Sequence, residues 1–339
     1  VVLSFSSYFF VTSRPYRLTV APMEGLTGPV WRRLHHRFFG GADAYYTPFV
    51  TPTREPKFTD RQLKDVGVEA NAGLNVVPQL LTRRAEDFCW ATKALLTMGY
   101  GEVNLNLGCP AGTVVAKGKG SGFLRTPTEL DTFFDDVFTA LGSDVPVTVK
   151  TRLGWSETYE FSDLVRLYNR HPIKRLIVHP RLKTDFYKGD ARWSVLRDEY
   201  DRVTLPLGIN GDLVTTDDIR MKAREFPRAE EIMVGRALIA DPALFRKMKG
   251  GAAASRDEIF GFMETLLAEF TDAFQSYKNS LMRMKEYWFF QQFLFEGAEK
   301  YVKAIFKAKN GADYDAAVER LKDELPLRNE AAFGWHKPL

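Results

Sequence analysis

Two cysteines occur in 339 residues, and their settings differ. Cys89 falls on the apolar face of a helical pattern and reads as core. Cys109 stands in a Gly108-Cys109-Pro110 turn, after the strand-like run Glu102–Leu107 and before a loop with Gly112, Gly118, Gly120 and Gly122. A thiol with an ordinary pKa of about 8.5 is mostly protonated near neutrality and can act as an acid. Lys117 and Lys119 could instead lower that pKa, so a nucleophile stays open as the second reading. Metal binding has no support: the chain lacks C-x-x-C, a histidine cluster and H-E-x-x-H.

Other side chains able to do chemistry recur at the ends of short apolar runs. Gln79 follows Val76-Val77-Pro78, Asn106 ends Glu102–Leu107, and Lys150 with Arg152 closes Val145-Pro-Val-Thr-Val. His179 and Arg181 follow Leu176-Ile-Val. Asn210-Gly211-Asp212 and Gly235-Arg236 follow the last two runs, and Pro22-Met23 the first. Lys150 could offset negative charge on a bound ring. Gln79 could bond a heterocycle edge. Glycine turns followed by an arginine suit a phosphate group.

Eight strands position these residues: Leu18–Pro22, Asp43–Thr47, Asn75–Leu80, Glu102–Leu107, Val145–Lys150, Lys174–His179, Thr204–Asn210 and Glu230–Gly235. Their continuous apolar character fits a parallel sheet buried on both faces. Helical patterns separate them, at Thr82–Met98, from a capping box at Thr126-Pro127-Thr128-Glu129 to about Leu141, at Ser156–Arg170 and at Thr215–Phe226. The alternation predicts an α/β fold, a (β/α)8 TIM barrel over 18–249, whose chemistry gathers at the C-terminal strand ends. A doubly wound sheet is the alternative, but no G-x-G-x-x-G follows the first strand.

After Gly250-Gly251-Ala252-Ala253-Ala254 the strands cease. Helical patterns over Arg256–Lys278, Leu281–Lys309 and Ala312–Leu325 predict a helical domain at 255–339. The net charge is +4, and residues 278–309 alone carry seven Lys/Arg against three Glu. The excess therefore sits in one segment, as contact with a polyanion or a solvated helix face would have it. The apolar stretch at the start of residues 1–17 is an N-terminal extension, too short to span a bilayer and unlike a signal peptide. Two cysteines in so long a chain fit a reducing cytoplasm.

Taken together these residues resemble the tRNA-dihydrouridine synthase family, in its bacterial form. The resemblance covers Leu18 to about Lys309. It is carried by Ala21-Pro22-Met23-Glu24-Gly25-Leu26-Thr27, Gln79, Asn104-Leu105-Asn106-Leu107-Gly108-Cys109-Pro110, the Gly118–Leu124 loop, Val149–Gly154, His179-Pro180-Arg181, Asn210-Gly211-Asp212 and Gly235-Arg236. The resemblance implies a monomeric, non-membrane flavoenzyme with FMN in the barrel mouth and NADPH as reductant. Reduced FMN would pass a hydride to C6 of a tRNA uracil, and Cys109 would protonate C5. It implies FMN contacts at Pro22, Met23, Gln79, Lys150, His179, Asn210, Gly211, Asp212, Gly235 and Arg236. Substrate contacts would fall at Asn106, Arg152, Arg181, Arg283 and Lys285. The chain departs from the family pattern at Gly28 and at Pro180, which stiffens its loop. The rival in the same fold is an FMN oxidoreductase of a free pyrimidine, similar to dihydroorotate dehydrogenase; the rival from another class is an RNA-binding protein with a decayed barrel. Lys117–Gly122 is expected to be a mobile basic flap closing over the nucleotide.

Overall fold

The computed structural model describes residues 16–334. The extension expected over residues 1–17 lies, apart from Tyr16 and Arg17, outside them. Nine strands form one sheet: β1 (Arg17–Val20), β2 (Ala44–Tyr46), β3 (Val76–Val77), β4 (Gln79–Leu80), β5 (Val103–Leu107), β6 (Val147–Gly154), β7 (Arg175–Leu182), β8 (Leu207–Asn210) and β9 (Ala229–Val234). Every pairing is parallel, in the order β3-β2-β1-β9-β8-β7-β6-β5-β4. β3 and β4 are the halves of one expected strand, split at Pro78, which has no N–H to give the ladder. The two ends of the sheet are thus consecutive in the chain, and the ring is an eight-fold barrel with helices outside.

Strand ends differ from expectation at two places that matter. β6 and β7 do not stop at Lys150 and His179 but run on to Gly154 and Leu182, with a register shift between Arg152 and Gly154. Arg152 and Arg181 therefore lie within strands. The expected capping box at Thr126 does not form: its side chain accepts nothing from the helix Pro127–Leu141. Its hydroxyl donates to the Phe123 carbonyl, while Glu129 pairs with Arg83. Capping boxes form instead at Thr59, Thr215 and Ser255.

The C-terminal helices are Arg256–Phe274, Tyr277–Gln291, Glu299–Lys307 and Gly311–Glu324. The expected helix over 281–309 breaks before Gly297, which adopts φ +68°. These helices share one continuous hydrophobic core with the barrel, through residues such as Phe262, Met284 and Trp288. The residues joining the two parts are pinned. Arg246 donates to the carbonyls of Ala252 and Ala253 and pairs with Glu258 at 2.6 Å. Among the described residues, no helix is long and apolar enough to cross a membrane.

The barrel interior holds a small apolar cluster of Ala21, Ala44, Tyr46, Val77, Ile177 and Met233. Below it lies an ionic floor at the N-terminal strand ends. Glu231, wholly buried, accepts from Thr19 Oγ1 (2.7 Å) and Tyr46 Oη (3.2 Å) and stands 3.3 Å from Arg175. Glu102 completes the group, 3.6 Å from Arg175 and 3.7 Å from Arg17. Removing one partner of such a group leaves a buried cation short of charge and costs about 3–5 kcal/mol. Glu231→Ala should lose that much in urea unfolding; a loss below about 1 kcal/mol, the worth of an exposed pair, would contradict a structural floor.

Candidate active site

Side chains alternate along a strand, so Asn104 and Asn106 of β5 share a face. Both are buried, as are Gln79 and Thr148. The Asn106 Oδ1 accepts from the backbone N–H groups of Gly108 (3.0 Å) and Cys109 (2.9 Å). Those two groups can only donate, so the amide orientation is forced. Asn106 Nδ2 then donates to Gln79 Oε1 (2.7 Å), Gln79 Nε2 to Asn104 Oδ1 (2.7 Å), and Asn104 Nδ2 to Thr148 Oγ1 (2.9 Å). A one-way chain of amides thus fixes the turn that carries Cys109.

The other side of that turn is held by the loop after it. Ser121 donates to the Cys109 carbonyl through its N–H (3.1 Å) and its hydroxyl (2.8 Å). Gly120 adopts φ +58°, and a Cβ there would stand 2.8 Å from the same carbonyl. Gly120 to Leu124 are buried in a 3-10 helix, and Lys117–Gly122 do not line the cavity. The Gly120–Gly122 part of the expected flap is therefore a packed clamp on Cys109, while Lys117 is exposed.

The Cys109 thiol is half-buried, and burial pushes its pKa above the ordinary thiol value. The Glu24 carboxylate adds to the shift. The Ala111 N–H and the charges of Arg152 and Lys150 oppose it without prevailing. The thiol is held protonated, as an acid needs and a nucleophile does not.

Cys109 opens into a cavity of about 1000 Å3. Pro22, Met23, Gln79, Asn106, Lys150, Arg152, His179, Asn210, Gly211, Asp212, Gly235, Arg236 and Lys285 all line it with Cys109. Lys150, the register partner of Asn106, has no hydrogen-bond or ion-pair partner among the described residues. Burial, then the Arg152 charge, lowers its pKa to about 7. His179 accepts at Nε2 from Arg181 (3.0 Å), because a guanidinium can only donate. Its proton is therefore on Nδ1. Burial and the surrounding cations keep the ring neutral, with its pKa far below the usual value.

Several expected ligand contacts prove to be occupied by the protein itself. Arg152 donates to the carbonyls of Gly108, Leu182 and Phe186, each at 2.8 Å, tying the Cys109 turn to the loop after β7. Asp212 takes Arg181 on both oxygens, Arg236 at 2.8 Å and the Ala191 N–H at 3.0 Å. Arg181 and Arg283, read from the sequence as substrate contacts, do not line the cavity. Arg181 is wholly buried and acts through Asp212 and His179. Arg283 pairs with Glu286 at 2.7 Å and packs on Gly25. Lys285 lines the cavity, but its ammonium donates to the carbonyls of Phe306 (3.0 Å) and Ala308 (2.8 Å) at the end of the helix Glu299–Lys307. The exposed cations of that region are Lys278, Lys300, Lys303, Lys307 and Lys309.

Sequence reading missed the apolar wall. Phe49, Phe186 and Tyr187 line one part of the cavity; Met282, Phe289, Phe290 and Phe306 line it from the helical part. The aromatic pair ahead of Gly189 in the loop after β7 was the available signal for Tyr187. Nothing in a helical pattern separates a cavity-lining Phe from a core one.

Comparison with known proteins bears on this geometry. The family model described as Dihydrouridine synthase (Dus) matches residues 19–326. The chain is 32% identical over 249 residues to the tRNA-dihydrouridine(16) synthase of Pseudomonas syringae pv. tomato, covering 71% of this chain and 76% of that protein. It is 30% identical to a protein of the same name from Aquipseudomonas alcaligenes, covering 73% and 80%. Among solved structures, a 2-naphthoyl-CoA reductase complex superposes with TM-score 0.53 at 13% identity, covering 69% of this chain and 50% of that one, a likeness of fold alone.

The direction of the Cys109 shift is testable. Burial disfavours the thiolate, so reactivity should move to higher pH. In a Cys89→Ser background, iodoacetamide alkylation of Cys109 should rise with an apparent pKa above about 8.5. An apparent value of about 7 or lower, the range of activated thiols, would contradict a protonated acid.

Proposed function

Since the chain belongs to the dihydrouridine synthase family, we propose that it reduces the C5=C6 bond of a uridine in tRNA, with FMN as cofactor and NADPH as reductant. The observation that carries the reading is the Cys109 thiol. Burial holds it protonated, and Asn106 holds its backbone turn, beside a cavity that also receives the unpartnered Lys150.

The residues present fit FMN. The cavity is large enough for a flavin and a nucleoside together. Lys150 offers a cation with no protein partner, suited to the electron-rich edge of a reduced ring. Gly211 and Gly235 are packed against the cavity's own lining: a Cβ at Gly211 would reach within 2.9 Å of the His179 ring, and one at Gly235 within 3.0 Å of Met23 Sδ, so a side chain at either would displace that lining. Arg236 lies beside them for a phosphate. Asn210 is oriented by its bond to the Met233 carbonyl (2.8 Å). When bound and reduced, FMN supplies a hydride to C6 of the uracil.

The chain's own residues then divide the work. Pro22, Met23, Gln79, Lys150, His179, Asn210, Gly211, Gly235 and Arg236 line the cavity and would hold the cofactor. Asp212 orients Arg236, and Arg181 orients both Asp212 and His179. Asn106 and Arg152 sit on the substrate side and hold the turn, and Cys109 Sγ gives its proton to C5. Lys150, with a pKa near 7, would take up a proton from solvent when an anionic ring arrives and hold it on Nζ as the countercharge to that ring. The barrel over 18–249 is the catalytic part; the helical part over 255–339 holds tRNA through its exposed lysines. Three relatives at 30–32% identity are named for position 16, and we take that uridine as the target. A cytoplasmic monomer completes the reading.

Cys109→Ala tests it. The purified variant should keep its flavin absorbance and its affinity for tRNA. Turnover should fall by about 10²–10⁴, the usual share of general acid catalysis. Undiminished turnover would remove Cys109 as the proton donor, and a wild-type protein that takes up no FMN would overturn the enzyme itself.

A further inference from the structure

β6 and β7 rise above the rest of the barrel rim. β5 last pairs at Thr151 and β8 at Val178, yet β6 reaches Gly154 and β7 Leu182. The pairing continues as Lys183 N–H donates to Gly154 O (3.0 Å) and Thr184 N–H to Trp155 O (3.1 Å). At about 3.3 Å per residue the ribbon stands roughly 10 Å proud.

Its tip gathers charge. Arg125, at the end of the Gly120–Arg125 helix, stands over the Trp155 ring at 4.7 Å from the centroid, and Lys183 stands over the same ring at 4.6 Å. Lys183 also covers Phe186 at 4.9 Å. Among the described residues, neither cation forms an ion pair. The neighbouring carboxylates are engaged elsewhere. Glu160 accepts from the backbone N–H groups of Trp155, Ser156 and Glu157. Asp185 accepts from the Leu182 N–H and from Arg192, toward which Glu157 also acts. Arg125 and Lys183 thus meet at one ring with no carboxylate paired to either, which leaves both charges available to an anion.

The strand order supplies the partner's path. The helical part packs on the segments after β1 and β9: Tyr287 donates to the Leu26 carbonyl and Gln291 to that of Ile239. In the ring, β5 and β6 lie across the mouth from β9 and β1. A nucleotide inside the cavity would have backbone leaving it in two directions, and in the tRNA reading above the exposed lysines of the helical part take one of them.

We propose that the β6–β7 arm is a second grip on tRNA, in which Arg125 and Lys183 bind backbone phosphate on the far side of the mouth. The inference rests on the tRNA reading above. The test is binding of an unmodified tRNA transcript to the flavin-loaded full chain across a KCl series. Arg125→Gln with Lys183→Gln should raise Kd about tenfold at low salt. Its log–log salt slope should fall by about 1.4–1.8, the share of two phosphate contacts. Turnover at saturating tRNA should stay at the wild-type level. Arg166→Gln, on an outer helix, should change nothing. A double variant with the wild-type Kd and slope would overturn the arm, while a wild-type protein that binds no tRNA would overturn the tRNA reading and the arm with it. Should the double variant lose its flavin absorbance, acetylation of the wild type decides: Lys183 shielded by tRNA supports the grip, and equal reactivity with and without tRNA refutes it.

Discussion

Two backbone N–H groups, those of Gly108 and Cys109, are bound by a single oxygen, Asn106 Oδ1. The geometry of the turn that carries Cys109 depends on this interaction. Because backbone N–H groups only donate, they set the direction of every amide behind them, through Gln79 and Asn104 to Thr148. Gln79 is in this way presented to the cavity in one orientation only. Each bond in such a chain adds about 1 kcal/mol net, but a buried orphan costs about 1–3 kcal/mol. The chain therefore resists partial change: losing one member leaves its neighbours unpaired. Ser121 secures the same turn from its carbonyl side.

Around that turn the protein concentrates positive charge. Lys150, Arg152, Arg181 and Arg236 converge, and Asp212 is the acid bonded directly to two of them. Burial then sets the protonation of the neutral members. His179 stays uncharged and the Cys109 thiol keeps its proton. Surplus cations beside a protonated acid are what the proposed reduction asks of the site: a countercharge for an anionic ring and a proton for carbon. The guanidinium groups are fixed by backbone carbonyls and Asp212, so the field is in place before anything binds.

The barrel was legible because its strands are continuous apolar runs ending in polar residues, a pattern local to each segment. The position of Cys109 was legible for the same reason: a thiol after a strand and before glycines has few structural explanations. What escaped was settled between segments. Pro78 split a strand without changing the ring. The true ends of β6 and β7 depend on their pairing with each other beyond the rim, and so Arg152 and Arg181 became anchors for loops. Lys285 reads as a free cation until the helix end it caps is folded beside it. Lys117–Gly122 reads as a mobile loop because glycine serves both flexibility and close packing; here Gly120 is required by the approach of the Cys109 carbonyl.

In the proposed reaction the thiol, the cavity and the two flanking basic surfaces together serve the reduction of one uridine in tRNA. Incubating the purified protein, FMN and NADPH with an unmodified tRNA transcript, followed by nuclease mapping and mass spectrometry, tests it most directly. One oligonucleotide, containing the uridine at position 16, should be heavier by two hydrogens, with no such product without NADPH. A transcript recovered unchanged, with the flavin seated and reduced, would contradict it.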